Sequence, residues 1–154
     1  MRALILSAAG LAAWSAPLPA QADAACTGHP SATRLYVRVE GVRSAEGLVA
    51  VTLYPDDRAR FLAHRGSLYV GRVPAVKGTT RACIYVPAPG AYAIAAYHDA
   101  DGNRHLTKNA IGFPAEGGGF SNNPNTFLGL PSFSASRFTV KASGEEIRIR
   151  LRYP

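Results

Sequence analysis

The stretch Leu35-Tyr36-Val37-Arg38-Val39-Glu40 decides the fold, because apolar and polar side chains alternate along it. Alternation with a period of two is typical of a strand that buries one face and exposes the other. Leu35, Val37 and Val39 are therefore expected to face the core. Weaker or similar patterns predict six further short strands, at residues 48–54, 68–73, 79–86, 91–97, 133–140 and 147–153.

Seven short strands with almost no helix predict an all-β fold, an antiparallel β-sandwich of the immunoglobulin or transthyretin type with one long loop. The chain has 154 residues, which fits one domain, and we place that domain at residues 23–154. A single helical turn is expected after Pro55, because Asp56 and Asp57 can cap its free N–H groups.

The long loop is predicted at residues 98–132, a segment rich in Gly and Asn that shows no sustained periodicity. Loops of this length inside a compact domain are usually functional or packed on themselves. We therefore expect the contact surface here, with His98, Asp99 and the stretch Phe120-Ser121-Asn122-Asn123 as binding residues. Recurring aromatic residues are expected to anchor the loop to the core, with a ligand cleft as the alternative. They are Phe113, Phe120, Phe127 and Phe133.

The first 22 residues are typical of a secretory signal peptide, because Met1-Arg2 precedes a short apolar run without charge. Ala20-Gln21-Ala22 then supplies the small residues that a signal peptidase reads. We expect cleavage after Ala22, with Ala24 as the alternative, and a periplasmic or secreted protein. The apolar run is short for a spanning helix, so a transmembrane protein is not expected.

Two cysteines are too few for a disulfide-dense scaffold or a four-cysteine zinc site. In an oxidising compartment Cys26 and Cys83 are expected to form a disulfide, with two free thiols as the alternative. Lipid modification of Cys26 is disfavoured, because Asp23 stands where an aliphatic residue would be expected.

The net charge is +7 at pH 7, and removal of the first 22 residues leaves +6. Arg148, Arg150 and Arg152 alternate with apolar residues along the last predicted strand, and Arg34 and Arg38 are expected near them. Since these arginines are not interleaved with base-stacking aromatics, no nucleic-acid partner is predicted. We expect a solvated face that discourages edge pairing, and the alternative is contact with an anionic surface or envelope component.

Three oxygen-bearing side chains, those of Asp99, Asp101 and Asn103, are spaced two residues apart at the start of the loop. In a calcium loop this spacing places alternate ligands around one hard cation. The template also needs Gly at its sixth position and Glu at its twelfth, where this chain has Arg104 and Ala110. Glu116 can contribute only if the loop folds back. We expect a turn held by its own Asp and Asn side chains, without a cofactor, and calcium bound by the three residues is the alternative.

No catalytic motif is found, and an enzyme is not expected. A triad of His98, Asp99 and Ser121 would need a serine on a sharp turn, and no G-x-S-x-G motif is present. Adjacent side chains on a strand also point to opposite faces. His98 and His105, with His64 or His29, match no usual zinc spacing.

Several motifs follow one another in a characteristic order. They are Pro89-Gly90-Ala91-Tyr92-Ala93-Ile94, His98-Asp99, Gly112-Phe113-Pro114, Gly119-Phe120-Ser121-Asn122-Asn123 and Pro131-Ser132-Phe133. With this order and spacing, residues 34–153 resemble the bacterial family called domain of unknown function 2141. The resemblance implies a small exported sandwich protein and no particular reaction. The family loop commonly reads H-D-x-N-x-N-G-K-L-D, and this chain departs from it at Arg104 and Thr107.

The sequence therefore predicts an exported β-sandwich that serves as a binding or structural module of the bacterial cell envelope. A calcium-stabilised binding module that uses the loop from Asp99 to Asn103 is the second hypothesis, and a hydrolase is the third.

Overall fold

A computed structural model describes residues 25–112, 114–126 and 129–154, which form two packed β-sheets. The all-β sandwich predicted from the sequence is confirmed, with eight strands in the described residues. The elements are β1 (Thr33–Val42), β2 (Leu48–Pro55), β3 (Tyr69–Pro74), β4 (Gly78–Val86), β5 (Gly90–Asp99), β6 (Gly118–Phe120), α1 (Phe133–Ser136), β7 (Arg137–Val140) and β8 (Glu145–Arg150). The predicted signal peptide, together with Phe113 and Phe127, lies outside the described residues.

β1 is the central strand of the smaller sheet, whose order is β4-β1-β8. The predicted alternation is confirmed, because Leu35, Val37 and Val39 are completely buried. β1 pairs antiparallel with β4 but parallel with β8, which departs from a purely antiparallel arrangement. The reason is the short turn before β8, in which Gly144 lies against the backbone of Arg34 and so starts β8 beside the start of β1.

The larger sheet has the order β3-β2-β5, and two short strands share the other edge of β5. β6 pairs with residues 95–97 of β5, and β7 pairs with residues 90–93. β6 was not predicted from the sequence, because Gly-Gly-Phe carries no alternation. The strand predicted at residues 133–140 begins only at Arg137, since Ser132 accepts a hydrogen bond from the N–H of Ala135 and caps the short helix α1.

The helical turn predicted after Pro55 is present as a series of hydrogen-bonded turns. Asp57 caps it, because its Oδ1 accepts from the N–H of Ala59 at 2.8 Å and its carbonyl accepts from the N–H of Phe61 at 3.2 Å. Leu62 and Arg65 adopt positive φ angles, which end any regular helix at this point.

The core lies between the two sheets and draws on nearly every strand. Each fully buried aliphatic side chain contributes about 1.5–3 kcal/mol of transfer free energy, so this layer holds the sheets together. The largest completely buried apolar side chains are Leu35, Val37, Val39, Val49, Val51, Leu53, Ile84, Val86, Ile94 and Ile149. No helix in the described part of the chain is long and apolar enough to cross a membrane.

The predicted disulfide between Cys26 and Cys83 is confirmed and joins the start of the described chain to β4. Next to it, the N–H of Thr27 donates to the carbonyl of Cys83, and the N–H of Tyr85 donates to the carbonyl of Thr27, both at 2.9 Å. These bonds cover part of the exposed edge of β4, where an unpaired strand would invite association with another chain.

Replacing both cysteines, Cys26→Ser with Cys83→Ser, is expected to lower the free energy of unfolding by about 4 kcal/mol. The reason is that the bridge closes a loop of 57 residues in the unfolded chain. Urea unfolding measures the change. Thiol titration of the unsubstituted protein, unfolded in denaturant, should find two thiols after reduction and none before it. Thiols that react without reductant would contradict the bridge.

Candidate functional site

The end of β5 holds a buried histidine that ties three segments together. His98 is 2 % exposed, and its Nε2 lies 2.9 Å from the carbonyl of Glu46. Because a carbonyl only accepts, Nε2 carries the proton, and Nδ1 accepts from the hydroxyl of Tyr153 at 2.9 Å. That hydroxyl in turn accepts from the N–H of Arg43 at 3.1 Å. His98 therefore fixes the turn between β1 and β2, and the end of the chain, to β5.

Ser121 is a second buried polar residue that holds the loop, and it lies well away from His98. It is 1 % exposed; its Oγ accepts from the N–H of Ile94 at 2.9 Å and donates to the carbonyl of Ser136. Ser121 thus bonds to β5 at Ile94, four residues before His98. This separation is about 13 Å along the strand. The structure does not bring together the serine and histidine of the hydrolase hypothesis.

Asn122 and Asn123 link the loop to β7 and β8. Both have positive φ angles, which asparagine tolerates better than most residues. The side chain of Asn122 donates to the carbonyl of Arg137 at 2.8 Å, and that of Asn123 donates to the carbonyl of Arg148 at 3.0 Å. These bonds hold the loop in place. Direct contact of the predicted binding residues with a ligand stays a prediction.

Aromatic packing anchors the same region from the other side through two of the four predicted anchors, Phe120 and Phe133. The ring of Phe61 lies 6.4 Å from that of Phe120 and 5.7 Å from that of Phe133, measured between centroids. Phe61 also packs edge-on against Tyr54 at 5.3 Å. The loop is therefore held by both polar and apolar contacts.

Three carboxylates converge where the loop leaves β5. One oxygen each from Asp99, Asp101 and Glu116 lies within 4.8 Å of the other two. Glu116 reaches this point because the loop folds back: its Oε1 accepts from the N–H of Ala100 at 3.1 Å, and its Oε2 accepts from the N–H of Thr107 at 2.9 Å. Asp99 and Glu116 are buried, and Asp101 is exposed.

Only one carboxylate oxygen of Asp99 accepts a hydrogen bond, whereas both carboxylate oxygens of Asp101 do. Oδ2 of Asp99 accepts from the N–H of Arg104 at 2.9 Å, while Oδ1 is buried and has no partner in the described structure. Hydrogen bonds lower the pKa of Asp101, foremost the one from the N–H of Asn103. The Asn103 side-chain amide donates to Asp101, and its oxygen accepts from the N–H of His105. Glu116 thus lies beside Asp99 and Asp101, and a ligand role for Asn103 stays a prediction.

A row of three arginines crosses the outer face of the smaller sheet. Arg38 of β1 stands opposite Arg81 of β4 on one side and opposite Arg148 of β8 on the other. Arg150 occupies the next outward position of β8. Arg152 lies beyond that strand and pairs with β6, so it does not belong to the row as the alternation suggested.

Two open depressions flank this row. The larger, of about 610 Å³, is lined by Arg34, and the smaller, of about 280 Å³, is lined by Arg38 and Arg81. Tyr36 and Glu146 line both depressions, so the two are neighbours on this face. We call these two depressions, together with the row of Arg38, Arg81 and Arg148 beside them, the arginine face.

Residues 37–148 match a bacterial family that is described as uncharacterized protein conserved in bacteria, DUF2141. The chain belongs to this family. The DUF2141 match begins inside β1 and ends inside β8, so it includes the acidic cluster and all three arginines of the row. Neither the curated proteins nor the solved structures contain a significant match to the chain.

The structure makes two residues of this DUF2141 chain prominent, Arg81, which was not singled out from the sequence, and Glu116, which was named only conditionally. Arg81 lies at an outward position of a predicted strand, but only the pairing register shows that it stands opposite Arg38. Glu116 was considered only on the condition that the loop folds back, and its side chain gives no periodic signal.

Replacing Tyr153 with Phe is expected to lower the free energy of unfolding by about 1–3 kcal/mol, because it leaves the buried Nδ1 of His98 without a donor. Urea unfolding measures the change. Tyr69→Phe is the matched control, since it removes a hydroxyl outside this network. Equal stability of the two variants would show that His98 does not depend on Tyr153.

Proposed function

We propose that this protein is an exported, non-enzymatic binding module of the bacterial cell envelope, and that its arginine face binds an anionic polysaccharide. The observation that carries the proposal is the row of Arg38, Arg81 and Arg148 across three neighbouring strands. Carboxylate or phosphate groups on a sugar chain supply the opposite charge. Export is supported by the signal-like first 22 residues and by the disulfide, which belongs to oxidising compartments.

Protection of the sheet edges explains only part of this row. Charged residues on edge strands discourage pairing with other chains, which accounts for Arg81 on β4 and Arg148 on β8. Arg38 lies on the central strand, which has no free edge. Like charges directly opposite each other destabilise a sheet, so a third arginine between the other two needs a different reason.

The charge of the row is only weakly balanced within the described structure. The nearest acidic partner of Arg38 is Glu146, at 3.7 Å between Nη1 and Oε1, and both side chains are partly exposed. Nε of Arg38 is buried and has no hydrogen-bond partner in the described residues. Guanidinium groups bind carboxylates and phosphates through two parallel N–H donors, so this face suits an anionic ligand with repeated charges.

A polysaccharide fits this face better than a membrane does. Proteins that lie on membranes insert apolar side chains between the lipids. Of the large hydrophobic side chains exposed in the described residues, only Tyr36 lines the arginine face. An aromatic ring beside charged donors offers a flat apolar surface and a polar edge, which suits a sugar ring.

A non-enzymatic role is supported by how the residues of the hydrolase hypothesis are used. His98 and Ser121 are buried, and their polar atoms bond to Glu46, Tyr153, Ile94 and Ser136 in the protein itself. They stabilise the loop in place of facing a substrate.

The double substitution Arg81→Glu with Arg148→Glu is expected to weaken binding to polygalacturonate at least tenfold, by charge reversal on both sides of Arg38. Isothermal titration at low and moderate salt measures the affinity, and wild-type binding should weaken as salt rises. Because the new glutamates flank an arginine, thermal stability should be kept, which separates lost binding from lost folding.

The control is Arg58→Glu with Lys108→Glu, which makes the same change in net charge at exposed positions away from the arginine face. An equal loss of affinity in the control would show a general charge effect and contradict the proposal. Binding to phosphatidylglycerol vesicles without binding to polygalacturonate would overturn the choice of a polysaccharide.

A further inference from the structure

We propose that Asp99, Asp101 and Glu116 bind a Ca²⁺ ion where the long loop leaves β5. Calcium takes oxygen ligands at about 2.3–2.6 Å, so two oxygens on one ion lie at most about 5 Å apart. The three carboxylate oxygens lie within 4.8 Å of one another and can therefore contact one ion together.

The buried oxygen of Asp99 is the second, independent observation. Asp99 has no exposed surface, and its Oδ1 has no hydrogen-bond partner in the described residues. A buried acceptor without a partner costs about 1–3 kcal/mol, and more when it is charged. Asp99 is one of the three carboxylates that converge there, so its unpartnered oxygen lies on a side chain of the cluster. A cation there would satisfy it.

The charge of the cluster also calls for a cation. Two ion pairs are present in the described part of the chain, Arg38 with Glu146 and Arg137 with Asp56, and neither involves the cluster. Like charges this close repel strongly when two of the three groups are buried. A divalent cation would offset most of the three negative charges.

The backbone donors leave oxygen lone pairs free for an ion. The N–H groups of Ala100, Arg104 and Thr107 each donate to one carboxylate oxygen, which orients the side chains without using all their acceptor capacity. The donors belong to the loop itself. Ion binding would therefore hold together the end of β5, the turn after it and the returning arm of the loop.

The donor set favours calcium over other metals. Three carboxylates with no sulfur or imidazole suit a hard cation. Magnesium demands near-ideal octahedral geometry at about 2.0–2.1 Å, whereas calcium tolerates the irregular arrangement of ligands from a loop. Three protein ligands with one carboxylate exposed suit the weak affinity of extracellular modules, with a Kd of about 10⁻⁴–10⁻³ M.

The test uses the full protein, stripped with chelator and melted with and without millimolar Ca²⁺. We expect the melting temperature to rise by several degrees, because an ion that binds only the folded state stabilises it. Asp99→Asn should abolish the rise and Glu116→Gln should reduce it, while Asp57→Asn, an exposed change outside the cluster, should keep it. Arg81→Glu with Arg148→Glu should also keep the rise, so this proposal can fail independently of the polysaccharide proposal.

Terbium luminescence gives a second readout that a purely structural role would not change. Tyr97 lies two residues before Asp99 on β5, so the two side chains are on the same face of the strand. We expect Tb³⁺ to bind, to emit on excitation of tyrosine, and to be displaced by Ca²⁺. Tyr97→Phe should reduce the emission and leave the calcium-dependent rise in melting temperature.

Three results would overturn the proposal. The first is no calcium-dependent rise in melting temperature together with no terbium emission. The second is an equal rise in wild type and Asp99→Asn. The third is an equal rise with Mg²⁺ in place of Ca²⁺.

Discussion

The requirement that buried polar groups find partners organises this protein around β5. The segment that leaves the strand at Asp99 includes no helix or strand in its described residues until β6 begins at Gly118. His98 and Ser121 satisfy that requirement with backbone and tyrosine partners. Asp99 does not, because its Oδ1 is buried and has no hydrogen-bond partner in the described residues.

Close backbone approach supports the same arrangement. Gly119 of β6 lies against the backbone of Arg150, where a Cβ atom would come within 2.7 Å of a carbonyl oxygen. Gly117 lies against the ring of Tyr153 in the same way, which lets that tyrosine reach His98. The glycines of the loop thus allow contacts between the two sheets that larger residues would prevent.

Periodicity in the sequence predicts the sandwich well, because one face of each long strand is buried. The alternation of β1 and the apolar run of β5 correspond to real strands, and the cysteine pair forms the expected bridge. The parallel pairing of β8 with β1 has no local signal, since it depends on where a turn delivers the chain. The short strand β6 and the helix α1 were missed because three or four residues carry too little pattern.

In the candidate sites, too, the sequence shows the individual residues but not which distant residues the fold brings beside them. The Asp99 and Asp101 spacing is visible in the sequence, but Glu116 joins them through a fold-back of the loop. The arginines are visible one by one, but only strand register shows that Arg38, Arg81 and Arg148 form a row. The protein thus carries an acidic cluster at the loop and the arginine face on the smaller sheet, and we assign them different ligands.

The most direct test of this account is an NMR titration of the protein with Ca²⁺ that follows backbone amides. The account predicts that the amides of Ala100, Arg104 and Thr107, which donate to the three carboxylates, shift and gain protection from hydrogen exchange. Amides of the arginine face should stay unchanged. Unaltered amides around Asp99, or equal changes throughout the molecule, would contradict it.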